Sequence, residues 1–194
     1  MILYLHGFRS SPLSFKARMI EARMAALGRG GEYQCPQLSA SPREAIALAE
    51  RLAGSVPAER LTLIGSSLGG FYATWLAERL GCRAVLLNPA VDPARDLDKH
   101  VGAATTFHSG EPFEFKREYV GELQALAVER ITRPERYLLL AATGDEVLDW
   151  REMVARYPGA QQCIIEGSDH GISDFDKYLD RVLAFCGIDT GAAA

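Results

Sequence analysis

The stretch Leu61-Thr62-Leu63-Ile64-Gly65-Ser66-Ser67-Leu68-Gly69-Gly70-Phe71 decides how this chain is read. Its first four residues are a short apolar run closed by a turn signal, the pattern of a buried strand. From Phe71 to Leu80 the pattern is helical. Between them, Gly65-Ser66-Ser67-Leu68-Gly69 matches G-x-S-x-G. On a sharp strand-to-helix turn the middle serine is forced into a strained, exposed position at the sheet edge. The flanking glycines are required because side chains there would collide with the neighbouring strand and helix. The stretch therefore predicts a nucleophile elbow with Ser67 at its apex and Ser66 as a decoy. Short motifs also arise by chance in ordinary loops, so the reading depends on what surrounds this one.

Strand-like and helix-like patterns alternate along the rest of the chain. Strands are expected over 2–5, 33–38, 61–64, 84–87, 137–142 and 163–165. Helices are expected over 15–27, with Ser14 as N-cap and Gly28 as stop, and after Ser41-Pro42-Arg43-Glu44, which has capping-box form. A last helix carries Phe175, Leu179, Val182, Leu183 and Cys186 at helical spacing and stops at Gly187. Short, almost wholly apolar strands between amphipathic helices mean a mostly parallel sheet covered on both faces. One domain is expected over 1–188, with a tail over 189–194 that frays. From Asn88 to about Pro134 the rhythm breaks, with little strand character and a helical run over 118–127. This excursion, about 90–133, reads as a small lid over the carboxyl ends of the strands. Its Phe107, Phe113, Phe115 and Tyr119 fit either an acyl pocket or the lid's own small core.

The net charge of −4 and the absence of a block of like charges speak against a nucleic-acid or anionic-membrane partner. The opening Met1-Ile2-Leu3-Tyr4-Leu5 is too short and lacks the flanks of a signal peptide, and no later apolar run reaches membrane-spanning length. Cys35, Cys82, Cys163 and Cys186 are scattered without a C-x-x-C pair. That suits thiols of a cytoplasmic protein, with Cys82 and Cys163 as small core residues. No cluster has metal-ligand spacing, and no cofactor motif is present.

A serine hydroxyl needs a general base, and the base needs an orienting carboxylate. In this architecture they follow in the order Ser, Asp or Glu, His. His170, in Gly167-Ser168-Asp169-His170-Gly171, sits between the last strand and the last helix and is the expected base. The acid belongs to Thr143-Gly144-Asp145-Glu146-Val147-Leu148-Asp149. Asp145 comes soonest after the strand, Asp149 is the alternative, and Glu146 is expected to face solvent. Asp169 adjoins the histidine and should point away from it. His6 ends the first strand as a turn residue, so that the Phe8 and Leu68 amides form an oxyanion hole. His100 and His108 receive no role.

Taken together, Leu3-Tyr4-Leu5-His6-Gly7-Phe8 with Ser10-Ser11-Pro12, Gly65 to Gly70, Asn88-Pro89, Thr143 to Asp149 and the Asp169-His170 loop resemble the YqiA-like esterases, a bacterial group of small α/β-hydrolases. The resemblance runs from Ile2 to Gly187. It implies a reduced α/β-hydrolase fold that begins at the strand bearing the oxyanion turn. It also implies esterase or thioesterase activity on a small acyl substrate without a cofactor, and a triad of Ser67, Asp145 and His170. Two rivals stay open: an acyltransferase on the same machinery, and a binding module that keeps the fold without catalysis.

Overall fold

The structure is a computed structural model describing residues 1–54, 56–107 and 110–191. His108 and Ala192 to Ala194, the end of the tail expected to fray, lie outside them. A sheet of six strands runs in the order β2-β1-β3-β4-β7-β8. Its members are β1 (Ile2–Leu5), β2 (Tyr33–Gln34), β3 (Thr62–Ser66), β4 (Arg83–Leu87), β7 (Tyr137–Ala142) and β8 (Gln161–Ile165). Every pairing is parallel. The helices are α1 (Phe15–Ala26), α2 (Pro42–Ala53), α3 (Leu68–Leu80), α4 (Pro93–Leu97), α5 (Arg117–Ala125), α6 (Trp150–Arg156) and α7 (Leu179–Phe185).

Apolar side chains on both faces of each central strand explain the two-sided cover. Leu3, Leu5, Leu63, Ala84, Leu86, Tyr137 and Leu139 enter one core with residues of α2, α3, α5 and α6. Their alternating neighbours Ile2, Tyr4, Ile64, Val85, Leu87, Leu138 and Leu140 enter a second core with α1 and α7. This is the period-two geometry of a strand buried on both sides. Cys82 and Cys163 are both buried in these cores, and the four cysteines are free.

Several boundaries differ from expectation for local reasons. The second strand keeps only Tyr33–Gln34, paired to Ile2 and Leu3, because Pro36, just beyond Cys35, cannot donate to a ladder. Phe175–Lys177 forms a separate 3-10 turn ahead of α7. Ser41 Oγ accepts the Glu44 N–H, but Glu44 turns to Ser39 Oγ, so the reciprocal arm of the capping box is absent. Ser41 Oγ instead donates to Glu122 of α5.

The excursion contains what its sequence did not announce. A two-stranded antiparallel hairpin, β5 (Gly102–Thr105) and β6 (Pro112–Phe115), stands apart from the main sheet. Its alternation is weak in sequence, because Ala103 and Ala104 carry little hydrophobic contrast.

The chain runs from β1 outward to β2, then returns to β3 on the other side of β1. The strand order therefore reverses between β1 and β3, and their carboxyl ends open a crevice there. His6-Gly7-Phe8 leaves one of those ends and Ser67 the other.

Candidate active site

Ser67 stands between β3 and α3 with φ 54 and ψ −120, a conformation that non-glycine residues rarely hold. The packing around it leaves no alternative. A Cβ on Gly65 would lie 2.2 Å from the Gly69 carbonyl oxygen, and one on Gly69 would lie 1.9 Å from that of Leu5. The backbones of β1, β3 and α3 thus approach to distances that only hydrogen at Cα permits. Ser67 N–H donates to Leu87 O, and Ser67 O accepts from Ala90 N–H, which ties the elbow to the end of β4.

His170 reaches the elbow from the loop after β8. Its Nε2 lies 3.1 Å from Ser67 Oγ, and its Nδ1 lies 2.8 Å from Asp145 Oδ2. The Asp145 side chain is fully buried. Its other oxygen accepts the Val147 and Leu148 amides, both at 2.8 Å. These bonds hold the carboxylate aimed at the ring. Asp149, the alternative acid, accepts the Arg151 amide at the start of α6 and is away from the histidine. Asp169 Oδ1 accepts the Ser173 amide. Glu146 is exposed, as expected, yet it also accepts the His170 backbone N–H at 3.0 Å.

His6 is bound into the fold. Leu38 N–H donates to its Nε2, so the other nitrogen carries the proton and donates to Gly7 O. This fixes the turn that delivers Phe8 to the crevice. A Cβ on Gly7 would lie 3.2 Å from Ser67 Cβ, so the turn passes directly over the serine. Leu68 begins α3, where first-turn N–H groups lack an intrahelical partner. Phe8 lines the cavity beside Ser67, and Leu68 follows the serine in the chain.

Asn88 is a residue whose importance the sequence did not reveal. It is wholly buried with φ 43 at the end of β4. Its Oδ1 accepts the Ala142 amide, and its Nδ2 donates to the carbonyls of Asp169 and His170. One side chain thus fastens the histidine loop to the end of β7, the strand that precedes Asp145. The available signal was an asparagine before proline at a strand end, since asparagine tolerates the left-handed region.

A cavity of about 260 Å³ opens beside Ser67 and His170, walled by Tyr4, Phe15, Lys16 and Phe107. Phe107 follows β5, between the two hairpin strands, and is exposed, and its N–H donates to Arg9 O. The aromatic residues of the excursion divide between the cavity wall and the main core, and build no separate core of their own among the described residues. Phe107 borders the cavity, whereas Phe115 is 1% exposed and packs edge-on with Phe8 and Tyr119. His100 sits against the Phe8 ring. A larger depression of about 640 Å³, between Ile46, Trp75 and Gly121, contains none of the candidate catalytic groups.

Comparison with known proteins agrees with this architecture. The model of the uncharacterised protein family UPF0227 matches residues 1–187. The chain belongs to UPF0227. Among solved structures, this UPF0227 protein is similar to a putative hydrolase from Agrobacterium vitis S4, at 21% identity and TM-score 0.78, covering 95% of this chain and 87% of that one. It is also similar to the esterase domain of a Rhodothermus marinus protein, at 23% identity and TM-score 0.67, covering 95% and 85%. A third match is Est1E from Butyrivibrio proteoclasticus with ferulic acid bound, at 13% identity and TM-score 0.67, covering 94% and 87%. At these identities the likeness establishes the α/β-hydrolase fold. Among the described residues no helix is long and apolar enough to cross a membrane.

Proposed function

We propose that this UPF0227 protein is a serine hydrolase that cleaves carboxylic esters or thioesters of small acyl substrates through an acyl-enzyme. The observation that carries this reading is the continuous chain from Ser67 Oγ to His170 Nε2 at 3.1 Å and from His170 Nδ1 to Asp145 Oδ2 at 2.8 Å. Ser67 Oγ attacks the acyl carbonyl as His170 Nε2 takes its proton. Asp145 holds the ring in the tautomer with a protonated Nδ1 and stabilises the imidazolium. The amides of Phe8 and Leu68 receive the oxyanion, each worth about 2.7–4 kcal/mol in the transition state. His170 then protonates the leaving alcohol or thiol, and next activates the water that releases the acid. The hairpin and Phe107 act as a small lid over this cavity.

The test is covalent labelling of purified protein with a fluorophosphonate, the adduct being located by peptide mass spectrometry. Label on Ser67, lost in Ser67→Ala and kept in Ser66→Ala, is the expected result. A folded protein that takes no label, or takes it on Ser66, overturns the reading.

A further inference from the structure

The cavity beside Ser67 holds a cation that the hydrolytic sequence does not use. Lys16 lies in the first turn of α1, is 7% exposed, and shares the cavity wall with Ser67 and His170. A buried ammonium is costly unless its donors are engaged. Among the described residues its Nζ makes one hydrogen bond, to Gly171 O at 2.5 Å. That leaves two of its three N–H groups unused.

Asp145 and Asp169 attract the ammonium but form no ion pair with it among the described residues. Their oxygens are engaged elsewhere: those of Asp145 by His170 and two amides, and Asp169 Oδ1 by Ser173. Ser14, on the same wall, has a buried Oγ that faces the Tyr4 hydroxyl without making a hydrogen bond of good geometry. No side chain caps α1, whose first residues line the cavity. An uncapped helix start adds partial positive charge to the wall.

Resting on the ester-hydrolase reading, we propose that this wall binds a carboxylate of the substrate, so that the enzyme prefers short esters or thioesters bearing a free carboxylate. Lys16 Nζ and Ser14 Oγ supply its donors. At about 260 Å³ the cavity is smaller than most sites for drug-sized ligands, which limits the group to a short one. Burial pulls the Lys16 ammonium down to about 8, opposed by Asp169 and Asp145. Tyr4 and His170 share the same cavity. The ammonium is charged below that pH and loses its charge as pH rises through it, so the preference for anionic esters should fade there.

The experiment compares kcat/KM for methyl hydrogen glutarate with that for methyl pentanoate, and for acetoxyacetate with that for propyl acetate. The first pair puts the carboxylate on the acyl side, the second on the alcohol side. The wild type should favour the anionic member of at least one pair by roughly tenfold or more, the scale of a charge-assisted hydrogen bond. Lys16→Met should lower both rates through loss of the Gly171 bond but collapse the ratio toward one, and Lys16→Arg should restore part of it. Ser14→Ala, which retains Lys16, should lower the ratio by a smaller factor. A wild type that hydrolyses the neutral esters without preference, or a ratio unchanged in Lys16→Met, would overturn the carboxylate site and leave the hydrolase reading intact. Failure of all four substrates together with failure of Ser67 to take a fluorophosphonate would sink the hydrolase reading itself.

Discussion

Ser67 and His170 meet at 3.1 Å, yet they are held by opposite means. The serine is fixed by exclusion: three backbones press so closely that no Cβ fits at Gly65 or Gly69. The histidine is fixed by attachment. Asn88 binds two carbonyls of its loop, Glu146 binds its amide, and Asp145 binds its ring. Exclusion tolerates no added atoms, whereas attachment is divided among several bonds and weakens stepwise. The proposed nucleophile is therefore set by the fold itself, and the proposed base is adjustable within it.

Breaking the steric half should have the largest effect. Gly69→Ala would put a methyl carbon 1.9 Å from Leu5 O and 2.8 Å from His6 O, both backbone atoms. Its cost should exceed about 4–5 kcal/mol, the range of exceptional single substitutions. Circular dichroism and thermal melts should find no stable native state, and a variant melting close to the wild type would refute the steric account.

The ring attachment comes next. Asp145→Asn should lower kcat by about 10⁴-fold, the scale set by loss of the correct tautomer, with the fold kept. Asp149→Asn should leave kcat near the wild-type value and cost little stability, because asparagine caps the start of α6 about as well as aspartate. Steady-state kinetics on both variants decide between them, and the opposite ranking would hand the role of acid to Asp149.

The loop attachment should give the smallest effect. Asn88→Ala removes three buried hydrogen bonds and places alanine at φ 43. Loss of roughly 1–3 kcal/mol of stability is expected from the unsatisfied groups. Loosening of His170 should reduce kcat by up to about 10²-fold, the scale of a small misplacement of a catalytic group. If stability falls while kcat and its pH profile hold, Asn88 serves the sheet alone.

The same contrast explains what could be read from the chain. Steric requirements leave marks at fixed offsets, so Gly65 and Gly69 announced the elbow and the strand and helix around it. The order of elements then pointed to the loops carrying Asp145 and His170. Attachments leave weaker marks. Asn88 acts on backbone groups more than 50 residues away, and the asparagine-proline pair that marks it locally says nothing of those partners. Glu146 was legible as exposed but not as a partner of His170. Lys16 resembled a solvated lysine near a helix start, because only the tertiary fold buries it. The hairpin at 102–115 escaped notice because alanine and glycine blur its alternation. Helix α6, only seven residues long, was too short to show a periodicity.

The wide separation of the catalytic candidates along the chain has a consequence for how the molecule comes into being. Ser67 and His170 are 103 residues apart, and β8, which leads to the histidine, is the outermost strand on its side of the sheet. Such non-local parallel pairings must be closed against chain entropy before they reward it. Until β8 has docked on β7, the hydroxyl of Ser67 lacks the His170 ring beside it. On the proposed reading a nascent or half-folded chain is then chemically silent, and hydrolytic competence would arrive together with the finished sheet.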